Sequence, residues 1–118
     1  MSITSYKDLI VWQKAMELVV VIYRLTENFP INERFGLSSQ MRMSAVSIAS
    51  NIAEGSRRGT RKDFHQFIII AFGSGAELET QVEIVKRLKL NQNVSIALLE
   101  NLLQEVMKML NKLEQSLS

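Results

Sequence analysis

Residues 94–117 read VSIALLENLLQEVMKMLNKLEQSL and carry the clearest structural signal in the chain. The apolar residues alternate spacings of three and four without a break, which places them in one stripe along an α-helix. This heptad-like pattern is typical of helices that pack against other helices. The stripe consists of Ile96, Leu99, Leu103, Val106, Leu110, Leu113 and Leu117. We therefore predict a helix over residues 94–117.

Similar apolar stripes predict three earlier helices, over residues 6–28, 37–54 and 60–88. Ser5 can cap the first helix, and Pro30 ends it because proline disfavours helical geometry in the preceding residue. Connections of a few residues make neighbouring helices antiparallel. We expect an all-α protein, an antiparallel up-down four-helix bundle that forms one domain over the whole chain.

Several residues predict where the helices end or bend. Gly55 is expected to end the second helix as its C′ residue, and Thr60 is a suitable N-cap for the third. Gly73 and Gly75 lie inside the third helix and weaken its intrinsic propensity. There we expect either a kink or the close approach of another backbone. A break is expected at residues 91–93.

The composition limits the class of protein. The 118 residues are 47% hydrophobic, which fits one domain with a core, and a single proline with five glycines argues against a many-stranded β fold. The absence of cysteine excludes disulfides, thiolate zinc sites and cysteine nucleophiles. The sequence starts without the apolar core of a signal peptide, and its longest apolar run is too short for a bilayer. We expect a soluble cytoplasmic protein without a membrane partner.

Helices one and three have more apolar surface than one seam inside a slender bundle needs. The first half of helix three is apolar nearly all round. Another subunit is expected to cover this surplus, so we predict a homo-oligomer. The candidates for the subunit interface are Trp12, Phe67 and Ile70.

No residue pattern indicates an enzyme. A di-iron site in a helical bundle needs two Glu-x-x-His pairs, but His65 is the only histidine and Lys62 stands three residues before it. A hydrolase triad and a phosphate-binding glycine loop also lack their patterns. We predict no catalytic residues, no metal and no cofactor. Nearby carboxylates on helix three, at Glu77, Glu79 and Glu83, are expected to be solvated or else to pair with arginines of helix two or of a neighbouring subunit.

A basic cluster is the most informative feature for function. Residues 34–62 carry six basic side chains against one acid, Glu54. Cations beside a helix N-terminus suit phosphate oxygens. In an isolated monomer we expect a solubilising loop with ordinary Arg–Glu contacts, whereas in a ring oligomer the repeated patches could together hold a nucleic-acid backbone. No aromatic residue is interleaved with them, so we expect binding of a nucleic-acid backbone without base stacking. The candidate nucleic-acid-binding residues are Arg57, Arg58, Arg61 and Lys62 at the turn, with Arg42 upstream.

Glu54 is expected to help position this cluster. It lies near the C-terminal end of the second helix, where the helix dipole disfavours a carboxylate. A compensating arginine should therefore lie close by, and Arg57, Arg58 and Arg61 are the candidates.

Four stretches resemble the S23, or 23S rRNA intervening-sequence, protein family. They are YKDLIVWQKA at 6–15, FGLSSQMR at 35–42, SIASNIAEG at 47–55 and AFGSGAELETQ at 71–81. The resemblance extends from Tyr6 to about Leu113. Within the matching stretches, the residues taken as family motif positions are Gln40, Ser47, Asn51, Glu54, Gly55, Glu77 and Glu79.

The resemblance implies a bacterial four-helix bundle that assembles as a homopentamer. Members are encoded within intervening sequences of 23S rRNA genes or elsewhere in bacterial genomes. A related group, the accessory variability proteins of diversity-generating retroelements, forms basic pentamers that bind nucleic acid and partner a reverse transcriptase. The resemblance therefore implies a non-catalytic role associated with RNA or DNA.

Two functions remain open from the sequence. The first is an oligomeric bundle that binds RNA or DNA backbone through the basic cluster. The alternative is an interaction scaffold that docks a protein such as a polymerase or reverse transcriptase and binds no nucleic acid itself. Salt dependence separates them, because phosphate binding weakens steeply with salt.

Overall fold

The computed structural model describes residues 5–92 and 94–118. Across these residues the chain forms four α-helices and no strand. Two short 3-10 helices lie before the first and second α-helices. The α-helices are α1 (Ile10–Thr26), α2 (Leu37–Arg57), α3 (Arg61–Leu88) and α4 (Ala97–Leu117), and the 3-10 helices are Tyr6–Asp8 and Ile31–Glu33.

The helices pack around one apolar core. Each helix contacts the next along the chain, and α1 also contacts α4, which closes the arrangement. The most extensive packing is between α2 and α3. The molecule measures 45 × 24 × 21 Å, an elongated shape that fits long helices packed side by side. The largest fully buried side chains are Leu18, Ile22, Met41, Ile48, Ile52, Ile68, Leu78, Val85, Val106 and Leu110.

The first helix is interrupted near its expected start. Ser5 accepts a hydrogen bond from the backbone N–H of Lys7, as a cap should, but the helix that it caps is the 3-10 turn Tyr6–Asp8. Leu9 is extended, with ψ 126°, and α1 begins only at Ile10. The helix ends at Thr26, whose hydroxyl donates to the carbonyl of Ile22 at 2.7 Å.

The prediction that Gly55 ends the second helix is wrong. Gly55 lies inside α2 and is buried against α3, where an added Cβ would lie 2.6 Å from Cβ of Phe67. The chain reverses instead at Gly59, whose φ of 90° suits glycine. Thr60 then caps α3 by accepting from the N–H of Asp63, which confirms the predicted cap. Sequence spacing alone does not distinguish a glycine needed for packing from one needed for a turn.

The two glycines inside α3 have different surroundings. The helix runs through both without interruption. At Gly75 an added Cβ would collide with the side chain of Met107 from α4, whereas Gly73 faces open space. The close approach expected here is therefore made by a side chain and not by a backbone, and it involves only Gly75.

The last helix begins later than its apolar stripe suggests. α4 starts at Ala97, and Val94 belongs to the preceding connection, where its carbonyl accepts from the Asn91 side chain at 2.9 Å. The predicted break at 91–93 includes residue 93, which lies outside the described residues. Within the ranges that the structure describes, no helix has the length and apolar character needed to cross a membrane.

Candidate nucleic-acid interface at the basic turn

The basic turn, residues 57–62, joins α2 to α3 at one end of the bundle. Arg57 is the last residue of α2, and Arg61 is the first of α3. The reversal at Gly59 and the Thr60 cap bring these two helix ends together. The four predicted cations of the turn, Arg57, Arg58, Arg61 and Lys62, are all exposed.

Arg58 is held by two contacts with the helices that flank the turn. Its Nη2 donates to Oε2 of Glu54 at 2.7 Å, one helical turn earlier. Its Cζ lies 5.0 Å from the ring centroid of Phe67. The expectation that an arginine of this turn compensates Glu54 is confirmed, and the arginine is Arg58. The carboxylate in turn neutralises part of the positive charge of the turn.

Arg57 rests on an aromatic ring from the start of the chain. Its Cζ lies 5.4 Å from the ring centroid of Tyr6, which packs edge-on against Trp12 with centroids 5.3 Å apart. Aromatic rings therefore do lie beside the arginines in space, although none is interleaved with them in sequence. A guanidinium that lies over a ring keeps N–H groups free at its edge, where they can reach a phosphate.

Arg61 has a structural role at the end of α4. Its Nε donates to the carbonyl of Leu117 at 3.1 Å, and its Nη2 donates to the carbonyl of Ser116. These are among the last carbonyls of α4, which have no partner within the helix. A cation here also complements the negative end of the helix dipole. Replacing Arg61 would therefore alter the fold as well as the surface.

Of the four cations in the basic turn, Lys62 and Arg57 are the least neutralised by acidic side chains. Neither makes an ion pair with another residue in the described ranges. Lys62 is exposed in the first turn of α3. These two side chains are therefore the most available to a phosphate backbone.

Arg42 does not belong to the basic turn. It lies fifteen residues before Arg57 on the same helix, a separation of ~22 Å along the axis. Its Nε donates to the hydroxyl of Thr26 at 2.8 Å, and its Nη2 to the carbonyl of Tyr23 at 3.3 Å. Its Cζ also lies 4.4 Å from the Tyr23 ring centroid. Arg42 thus joins the start of α2 to the end of α1.

Several motif residues meet between α2 and α3. The hydroxyls of Ser47 and Ser74 are 2.8 Å apart, and Asn51 donates to both the carbonyl and the hydroxyl of Ser47. Gln40 and Glu77 line a groove beside this pair. The other motif residues have separate surroundings: Glu54 binds Arg58, Gly55 packs on Phe67, and Glu79 lines a different groove between α3 and α4.

The three predicted interface residues differ in their availability. Trp12 packs against the core and Tyr6, and Phe67 packs under Arg58 and against Gly55. Both are half-buried within the chain. Only Ile70, at 50% exposure, presents a large apolar surface.

A second apolar surface was missed from the sequence. Phe35 is 91% exposed and Met43 69%, and both line a cleft of about 590 Å³ beside Tyr23 and Val46. Phe35 lies in the connection between α1 and α2, where no periodic stripe reveals it. An aromatic residue in a polar connection was the only signal available.

Two other groups of titratable residues make contacts between α3 and α4. His65 Nε2 lies 3.3 Å from Oε1 of Glu114 and joins α3 to α4. Lys86 donates to Glu83 at 3.0 Å and to Glu100 at 2.9 Å. The hydrogen bond to Glu100, and then that to Glu83, raise the pKa of Lys86 above its usual 10.5. Nowhere in the described part of the chain do three metal-ligating side chains come together.

Comparisons with known proteins agree with the arrangement of helices. The family model described as 23S rRNA-intervening sequence protein matches residues 7–112. A crystal structure from Bacteroides thetaiotaomicron, of a protein with unknown function from the S23 ribosomal protein family, has a TM-score of 0.77 with this chain. The two are 27% identical, and the alignment covers 92% of this chain and 98% of the other. No curated protein matches the chain.

Proposed function

The chain belongs to the family of 23S rRNA-intervening sequence proteins, and from this premise and the geometry of the basic turn we propose that it is a non-catalytic bundle that binds RNA or DNA backbone. The observation that carries the proposal is the group of four exposed cations at one end of the molecule. Lysine and arginine at such a site bind phosphate oxygens independently of base sequence. We also propose that the protein is located in the cytoplasm.

Pre-organisation supports this role for the turn. Arg57 lies over the ring of Tyr6, and Arg58 lies over the ring of Phe67. Phosphate binding would therefore cost these side chains less conformational entropy than it would cost mobile arginines. Thr60 and Gly59 fix the backbone between them. The turn therefore offers phosphates a surface of largely fixed shape.

We further propose that the bundle is antiparallel and assembles as a homopentamer. Contacts between α3 and α4 support the antiparallel order, because they pair early residues of one helix with late residues of the other. The pairs are His65 with Glu114, Gly75 with Met107 and Lys86 with Glu100. Exposed Ile70 leaves apolar surface for neighbouring subunits, and the number five comes from the family resemblance. A ring would add the fields of five basic turns.

A charge-matched pair of variants tests the proposed nucleic-acid binding. Arg57→Gln with Lys62→Gln removes two cations from the turn, and Arg24→Gln with Arg87→Gln removes two exposed cations elsewhere. Binding of a labelled RNA hairpin at low salt should weaken by about tenfold or more in the first variant only. Equal binding by both variants would show that total charge, and not the turn, controls the interaction.

Docking of a protein partner is the second candidate, and the exposed Phe35 and Met43 favour it. Aromatic and methionine side chains are enriched in protein interfaces. The double change Phe35→Ser with Met43→Ser should abolish such a complex and leave nucleic-acid binding intact. A complex of this kind should also depend little on salt, in contrast to phosphate binding.

A further inference from the structure

The cleft beside Phe35 combines exposed apolar side chains with positive charge. This Phe35 cleft has a volume of about 590 Å³ and lies where the connection after α1 meets the first turns of α2. Two arginines line it and no acidic residue does. Its apolar residues are Tyr23, Phe35, Met43 and Val46, and its arginines are Arg34 and Arg42.

The apolar surface of the cleft extends along the two helices that flank it. The four apolar residues of the cleft are all exposed. Met16 is also exposed, and it lies two turns before Tyr23 on the same face of α1. On α2, residues 43–53 carry no charge. A contiguous exposed apolar surface of this kind is typical of an interaction site.

The two arginines of the cleft keep their positive charge. Arg34 is exposed, and its side chain makes no hydrogen bond or ion pair among the described residues. Arg42 donates only to a hydroxyl and a carbonyl, which do not neutralise its charge. Glu27 lines an adjoining cavity that shares both arginines, but it pairs with neither. The cleft therefore presents two uncompensated cations beside an apolar surface.

We propose that the Phe35 cleft docks an acidic amphipathic helix of a partner protein. The proposal rests on protein docking, the second candidate function, and names the chemistry of the partner. Charge complementarity determines the sign of that partner, because carboxylates can pair with Arg34 and Arg42, whereas a basic segment would be repelled. The apolar face of the helix would pack on the exposed side chains of the cleft.

The composition of the cleft favours a protein over a nucleic acid. One face of the Tyr23 ring is already covered by the Arg42 guanidinium, at 4.4 Å from its centroid. The neighbouring apolar residues, Met43 and Val46, are aliphatic and offer no ring on which a base can stack. Methionine and arginine are instead enriched in protein interfaces.

A helix also fits the length of the apolar surface. Met16 and Tyr23 are ~10 Å apart along α1, which is the spacing of apolar anchors at i and i+7 on a docked helix. Arg34 and Arg42 lie toward the Phe35 end of this surface, so the acidic residues of the partner are expected at that end. With only two charge pairs, salt should weaken this complex less than it weakens phosphate binding.

The direct test is a selection of peptides on the intact protein. The probe is a displayed library of random peptides of about 15 residues, enough for about four helical turns. The enriched peptides should carry an excess of Asp and Glu, together with large apolar residues spaced three or four apart. Synthetic versions are then titrated with the protein by fluorescence anisotropy, and replacing their acidic residues by the matching amides should weaken binding several-fold.

Variants separate the apolar from the charged part of the cleft. Phe35→Ser with Met43→Ser should weaken binding of the selected peptides by about tenfold or more, because buried anchors carry most of the affinity. Arg34→Gln should weaken it a few-fold. Leu98→Ser on α4 and Arg87→Gln on α3 change equally accessible side chains elsewhere and should bind like the wild type. All these side chains are exposed, so the fold should be unaffected.

The outcomes distinguish this proposal from the functions on which it builds. Peptides that depend on Phe35 and Met43 but lack an acidic excess, and that bind Arg34→Gln unchanged, would overturn the acidic partner and leave protein docking standing. No enrichment, or undiminished binding by Phe35→Ser with Met43→Ser, would overturn both. RNA binding through the basic turn, ~22 Å from Arg42 along α2, is measured separately and can stand or fail independently.

The same double variant tests the other occupants of the cleft. A loss of RNA affinity in Phe35→Ser with Met43→Ser would assign the cleft to nucleic acid, and a lower particle mass in light scattering would assign it to a second copy of this chain. Either result would overturn the proposal. We expect RNA affinity and particle mass to equal those of the wild type.

Discussion

Arg58 shows how a single side chain can limit the function that it serves. Its ion pair with Glu54 fixes the basic turn, but the same carboxylate competes with any phosphate for the guanidinium. Arg61 is similarly engaged by the carbonyls of α4. Fixing Arg58 therefore reduces the charge that the turn presents to a ligand, and fixing Arg61 reduces the number of its free N–H donors.

Removing the competing carboxylate should strengthen nucleic-acid binding. Glu54→Gln frees Arg58 and raises the net charge of the turn by one, so its affinity for RNA or DNA at low salt should rise a few-fold. Fluorescence anisotropy measures this change, and Glu105→Gln on α4 supplies the same change of charge away from the turn. Equal effects of the two substitutions would contradict a local role for Glu54.

The two glycine environments lead to opposite effects of the same substitution. Gly55→Ala places Cβ against Phe67 and should lower the free energy of unfolding by about 1–3 kcal/mol. Gly73→Ala meets open space inside a helix and should raise it by about 0.5–1 kcal/mol. Urea denaturation followed by circular dichroism checks both. A neutral effect of Gly55→Ala would mean that α2 and α3 are farther apart than described.

At the scale of helices, interactions near their ends join neighbouring elements. Arg42 joins the start of α2 to the end of α1, Arg61 joins the start of α3 to the end of α4, and Lys86 joins the end of α3 to the start of α4. In the first two contacts an arginine donates to carbonyls in the last turn of a neighbouring helix. Both arginines complement the negative end of a helix dipole, and Arg61 also supplies a donor to the last carbonyls of α4.

Loss of Arg61 should loosen the end of α4 specifically. Arg61→Gln leaves the carbonyls of Leu117 and Ser116 without this donor, so hydrogen exchange should quicken over about residues 113–118. Lys62→Gln, one residue on and without such a contact, is the matched control. Identical exchange in both variants would contradict a capping role for Arg61.

The Lys86 bridge should make stability depend on pH in the alkaline range. The hydrogen bonds to Glu100 and Glu83 raise the pKa of Lys86 in the folded chain. The contribution of this bridge to the free energy of unfolding is therefore complete below the usual lysine pKa of 10.5. It is lost as the pH rises through the higher folded pKa. Lys86→Met should therefore lower Tm slightly near neutral pH, and its difference from wild type should shrink above pH 10.5.

Lys112→Met, which changes an exposed lysine on α4, controls for the loss of charge. Its effect on Tm should not follow the same trend. A difference between Lys86→Met and wild type that stays constant through the alkaline range would contradict the proposed bridge.

At the scale of the whole molecule, the helical architecture could be predicted more completely than the candidate site. Apolar periodicity was sufficient to predict four helices, because it reflects burial directly. It did not reveal the extended Leu9, the packing role of Gly55 or the late start of α4, since each depends on contacts between elements.

The candidate site was predicted only in part. Sequence proximity identified the four cations of the turn and narrowed the partner of Glu54 to three arginines, of which the structure shows Arg58. It grouped Arg42 with them, although the helix between them separates the two regions. The apolar cleft around Phe35 depends on three-dimensional placement, so no sequence pattern revealed it.

The whole assembly has its own prediction. If exposed Ile70 lies at a subunit interface, Ile70→Lys should lower the particle mass measured by light scattering and leave the helical content unchanged. A lysine at an apolar interface loses its hydration without gaining a partner. Ile10→Lys, at a similarly exposed position on α1, is the comparison. An equal mass for wild type and Ile70→Lys would remove Ile70 from the interface.

The decisive measurement for the proposed function is the salt dependence of nucleic-acid binding by the wild-type protein. Anisotropy titrations of RNA and DNA duplexes between about 50 and 200 mM salt measure the binding constant K at each salt concentration. For a DNA duplex, a plot of log K against log salt concentration has a slope of roughly −0.9 for each phosphate contacted. We predict a steep negative slope that becomes shallower in Arg57→Gln with Lys62→Gln. No binding at the lowest salt, or a slope near zero, would contradict phosphate recognition by the basic turn.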